Sequence, residues 1–140
     1  MELVTLAASV ASALMARYPD RIVTRSLMSF DERSDAELSR GVLTVLTFAA
    51  DGLAQAAGTG ADTGTGHLLI TGQLWAGSDA TGEDVETHEL FLFQEIRDFA
   101  LHPGAGLCPL DLDSVQFSGQ QNAAEGYGWL RCELSYSELD

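Results

Sequence analysis

The sequence predicts an α+β domain: a mainly antiparallel sheet with two helices packed on one face, in the order α-β-β-β-α-β-β. Three observations carry this. Leu3, Leu6, Val10 and Leu14 recur at three- and four-residue steps, the stripe of an amphipathic helix. Residues 41–50 (GVLTVLTFAA) and 67–77 (HLLITGQLWAG) are dense in Val, Leu, Thr and aromatics that alternate with a period of two, as half-buried strands do. Residues 78–104 open with Ser78, Asp79 and Thr81 and close at His102-Pro103-Gly104, the start and stop signals of a second helix.

Taken in order, the first helix spans about residues 2–17, and Pro19-Asp20 ends it. RIVTRSLMSF, residues 21–30, alternates Val23, Arg25 and Leu27 on one face and reads as the first strand. The charged spacer DERSDAELSRG, residues 31–41, is expected to be a loop or a solvent-facing helical turn between two strands. The strands at 41–50 and 67–77 form a hairpin whose overlong tip, rich in Gly, Ala and Thr, is expected to be a flexible loop at about 51–66. In the second helix Val85, Leu92, Ile96 and Phe99 make the inner stripe. Leu90, Phe91 and Phe93 extend its apolar surface beyond half the circumference, so that it is either sandwiched or part of an interface. SVQFS (114–118) and GWLRCELSYS (128–137) are two closing strands. No internal repeat or linker divides the 140 residues, so a single domain covers 1–140.

Charge excludes one class of partner. Seven Arg, no Lys and 21 acidic residues give a formal net charge of −14, whereas tight binding to a nucleic-acid backbone is built from cationic contacts. The charge is also divided along the chain. Arg17, Arg21, Arg25, Arg33 and Arg40 lie in the first 40 residues, while Asp79 to Asp98 holds seven acids against one arginine. A self-complementary oligomer would use that polarity, with Arg25, Arg33 and Arg40 facing Asp62, Glu83 and Glu86, and with Phe91 and Phe93 as apolar anchors. The longest apolar runs are broken well before the ~20 residues that cross a bilayer, and Glu2 stands where a secretory leader would be basic. A cytoplasmic protein is expected, with Cys108 and Cys132 buried and reduced.

Catalytic patterns fit poorly. Gly58, Gly60, Gly64 and Gly66 are out of register for GxGxxG and precede a strand, and without lysine no P-loop is complete. Asp62 lies in an Asp-Thr-Gly triplet of the kind that aspartic proteases use to hold two carboxylates together. The apolar strand that would position it is missing, because Thr59, Gly60 and Ala61 precede it. Asp84 and His88 at i,i+4 read as a solvated helix pair, and His67 and His102 have no metal-ligand spacing to them. No nucleophile elbow occurs. No cofactor, metal or membrane is expected.

The run of segments LLITGQLW, ELFLFQEIRDFAL and LDSVQFSGQQNAAEGYGWLRCELSY, behind an amphipathic N-terminal helix, resembles the tail terminator, or tail completion, proteins of long-tailed bacteriophages over nearly the whole chain. The resemblance implies a structural protein of the virion tail, assembled in the host cytoplasm. It would form a homo-oligomeric ring, a hexamer, that caps the tail tube protein, ends its polymerisation and meets the head-tail connector protein. DNA would then pass through the bore without sticking. Three other readings stand beside it: a head-tail connector or neck component, a small aspartic-protease-like enzyme using Asp62, and a module binding a peptide along a sheet edge.

Overall fold

A computed structural model describes residues 1–52 and 64–139, so that most of the loop expected at about 51–66, Asp62 included, lies outside the described residues. Helix α1 (Leu3–Arg17) leads to the short strand β1 (Ile22–Thr24). A 3-10 turn (Phe30–Glu32) and helix α2 (Asp35–Arg40) carry the chain to β2 (Val42–Asp51) and β3 (Gly64–Trp75). Helix α3 (Gly82–Leu101) precedes β4 (Asp111–Phe117), a second 3-10 turn (Ala123–Glu125) and β5 (Tyr127–Leu139). The five strands form one sheet in the order β1-β2-β3-β5-β4.

The α+β class holds, and both long helices pack on one face. Val23, Leu43, Val45, Leu68, Ile70, Leu74, Leu130, Cys132 and Leu134 point to that face and meet Leu6, Val10 and Leu14 of α1 and Val85, Leu92, Ile96 and Phe99 of α3 in one core. Gly72 makes room for α3. A Cβ there would lie 2.6 Å from Leu130 Cδ2 and 3.2 Å from Leu92 Cδ1.

Two expectations need correction. The first strand is three residues long instead of ten, and it pairs parallel to β2, with Ile22, Val23 and Thr24 opposite Val42, Leu43 and Thr44. The reason is the route of the chain after Thr24. It leaves the sheet and crosses its outer face, where Gln73 Nε2 donates to the Met28 carbonyl at 2.9 Å and the Phe30 ring packs 5.2 Å from that of Tyr127. The chain thus comes back to the sheet running in the same direction. Second, the charged spacer takes the helical one of its two expected forms, as α2, but does not face solvent all round. Ser34 caps α2 by accepting from the Glu37 amide, Glu37 returns the bond to the Ser34 amide, and Leu38 is fully buried. The element order is therefore α-β-α-β-β-α-β-β, with α2 held over the outer face by Tyr127 Oη, which donates to Asp35 at 2.8 Å.

Candidate functional site

Three surfaces were open to a functional reading in the sequence: the arginines near the first strand, the outer side of α3, and the hairpin. The arginines turn out to hold backbone. Arg25 Nε donates to the Val45 carbonyl at 2.8 Å, at the point where β1 has stopped covering β2. Arg40 reaches the carbonyls of Asp20 and Pro19, and Arg33 pairs with Glu37 at 3.6 Å with only 8% of its side chain exposed. Five carboxylates (Asp20, Asp31, Glu32, Asp35 and Glu37) lie in the same stretch as these arginines, so this side of the molecule is close to neutral and the negative charge sits elsewhere.

On α3, Glu83 and Glu86 are exposed one turn apart, and Glu86 takes only a long bond, 3.4 Å, from Gln120 Nε2. Phe91 is 59% exposed, its ring edge-on to His88. Phe93 turns inward and packs against Phe117 at 5.7 Å, so Phe91 is the apolar anchor that remains free. Leu90 and Leu101 continue the exposed apolar surface of the helix. Phe99 of the inner stripe is fully buried, as expected, while Trp75 is half-buried and donates its indole N–H to the Glu125 carbonyl.

The outer face of the sheet holds a groove of about 480 Å³ that the sequence did not announce. Leu27, Leu46, Leu69 and Trp129 form its walls, Thr71 and Gln73 lie at its floor, and Arg131 stands at its rim. Thr71 Oγ1 and Gln73 Oε1 are buried and have no hydrogen-bond partner among the described residues. Arg131 is exposed and makes no ion pair among them. Further along the same face Phe48, 52% exposed, packs its ring 5.9 Å from His67, whose Nε2 meets Asp51 Oδ2 at 2.9 Å.

Beyond Thr44, β1 no longer covers the outer edge of β2. Leu46, Thr47, Phe48, Ala49 and Ala50 follow without a charge or a proline, the features by which edge strands ordinarily resist added strands. The bulge between Thr47 and Ala49 is the only irregularity there among the described residues.

Beneath α3 lies a group that sequence reasoning missed. Glu89, with no exposed surface, accepts from the Ser118 hydroxyl and, at 2.9 Å, from the Trp129 amide. Gly128 makes its space, since a Cβ there would lie 2.6 Å from Glu89 Oε2. Burial pushes the carboxyl pKa up, against the two hydrogen bonds that lower it. Only its i+4 spacing from the inner residue Val85 placed it on the buried side of the helix.

Among the described residues no three His, Cys, Asp or Glu side chains converge as metal ligands. His88 Nδ1 donates to the Asp84 carbonyl at 2.8 Å, while the Asp84 carboxylate accepts from the Thr81 amide, so both members of the i,i+4 pair serve the helix. The Asp-Thr-Gly triplet at Asp62 lies outside the described residues. No described helix is long and apolar enough to cross a membrane. No protein-family model matches the chain, and no curated protein matches it.

Proposed function

We propose that this protein is a phage tail terminator: it assembles as a homo-oligomeric ring that caps the tail tube, ends its polymerisation and presents its other side to the head-tail connector. The observation that carries this reading is the open edge of β2. Past the Arg25 guanidinium on the Val45 carbonyl, the run from Leu46 to Ala50 is uncharged, has no backbone partner on its outer side among the described residues, and carries the exposed Phe48. An open edge of this kind recognises an added strand through main-chain bonds, and a subunit at the end of a tube has such strands to give. Charge supports the same reading, because a net −14 lets DNA pass through a bore without the cationic contacts that would hold it. Its place would be the virion tail.

The test is to mix the purified protein with tail tubes polymerised in vitro and to examine their ends by electron microscopy. The proposal expects a density at tube ends and arrest of growth at sub-stoichiometric protein. Tubes of unchanged length with bare ends contradict it, and binding to isolated connectors alone moves the protein to the neck.

A further inference from the structure

We propose that the groove on the outer face of the sheet is the receptor for α3 of a second copy of this chain, with Phe91 of one protomer entering the groove of the next. The inference rests on the ring reading and names the interface that builds the ring.

Each surface offers what the other lacks: an exposed ring and carboxylates on α3, an apolar groove with an arginine at its rim on the sheet. Phe91 is the most exposed apolar side chain of α3, and the groove, about 480 Å³ and walled by Leu27, Leu69 and Trp129, has room for an aromatic ring. Glu83 and Glu86 precede Phe91 by roughly two turns and one and a half turns on the exposed side of the helix. Arg131, without an ion pair among the described residues, waits at the rim of the groove. Arg97, on the same helix, sits almost two turns beyond Phe91 and away from this acidic end. The groove floor also has acceptors to fill: Thr71 Oγ1 and Gln73 Oε1 are buried without partners among the described residues, a cost that a donor from an incoming chain removes.

Position then dictates symmetry. Helix α3 lies on the inner face of the sheet and the groove on the outer face, so one protomer cannot offer both surfaces to the same neighbour. Each contact is heterologous, and successive contacts either close into a ring or run on as a filament.

Charge reversal tests this directly, because all the side chains to be changed are exposed. Arg131→Glu alone, and Glu83→Arg with Glu86→Arg in a second variant, are each expected to lower assembly at least tenfold in light scattering. An equimolar mixture of the two variants is expected to restore it, since every interface then pairs opposite signs. Phe91→Asp is expected to block assembly with the far-ultraviolet circular dichroism unchanged. Rings that persist in all three variants overturn this interface while leaving the ring reading intact. A wild-type protein that stays monomeric at every concentration overturns both.

Discussion

Glu89 Oε2 on α3 accepts from both the Ser118 hydroxyl and the Trp129 amide, while Oε1 is buried with no hydrogen-bond partner and no cation faces the carboxyl among the described residues. Burial favours the neutral acid, so its pKa is raised in the folded protein. The folded state then keeps a proton that the unfolded chain has released, and this contribution to stability is full below the ordinary glutamate pKa and declines as pH climbs through the raised value. Glu89→Gln removes the titration. The difference in melting temperature between wild type and variant is therefore expected to shift in the variant's favour as pH rises from 4 to 8. A difference that stays flat with pH contradicts the assignment. Asp84, whose pKa is lowered by the Thr81 amide, works in the opposite direction and is lost as pH falls, but it is common to both proteins and cancels.

Gly128 is the backbone counterpart of that site. A methyl there meets Glu89 Oε2 at 2.6 Å and Val85 Cγ1 at 2.7 Å, and neither α3 nor β5 moves freely in a close-packed core. Gly128→Ala is expected to cost about 1–3 kcal/mol by overpacking, measured by urea unfolding. A variant as stable as wild type would mean that α3 sits further from the sheet.

Arg21 and Glu95 tie the helix layer to the first strand through two parallel bonds, Nε to Oε1 at 2.9 Å and Nη2 to Oε2 at 2.7 Å, while Nη1 donates to the Arg40 carbonyl. Both side chains are about one quarter exposed, so solvent screens the pair and the fork geometry matters more than the charge. Arg21→Lys, which keeps the charge and loses the fork, is expected to cost about 1 kcal/mol. A double-mutant cycle with Glu95→Gln checks it, and a coupling near zero contradicts the account.

How far the sequence led is clearest at α3. Of the three residues expected to start it, Thr81 is the cap, through reciprocal bonds with Asp84, and Val85, Leu92, Ile96 and Phe99 form the buried stripe. Such local signals repeat every turn and survive without tertiary knowledge. The first strand failed because Arg25 and Leu27, which alternate correctly, leave the sheet, one to bind the Val45 carbonyl and the other to wall the groove. Nothing local distinguishes a strand from a crossover of the same pattern. The order β3-β5-β4 was equally hidden, since β4 takes the edge only because β5 pairs along the whole of β3. As for the proposed interface, the acids of α3 were singled out from the division of charge and its aromatics from helical spacing, whereas the groove is assembled from residues as distant as Leu27 and Arg131 and has no signature in the chain.

The two thiols also separate in a way composition did not foretell. Cys132 is fully buried, and burial alone pushes its pKa to about 12, whereas Cys108 is exposed; both are free. The expectation of two buried cysteines is thus corrected at Cys108, which lies in the turn-rich segment before β4, its amide donating to the Tyr136 hydroxyl oxygen at 3.3 Å. Since the thiolate is the nucleophile, one thiol equivalent is expected to react with a disulfide reagent under native conditions and the second only after unfolding. Two native equivalents would contradict the placement of Cys132.

The central claim, a closed ring, is tested most directly by the molar mass of the wild-type protein in solution, measured by light scattering over a wide range of concentration and salt. The account predicts a species near six times 14.9 kDa that stays at that size as concentration rises, because a closed ring has no free ends. A strict monomer at every concentration, or a mass that grows without limit, contradicts it.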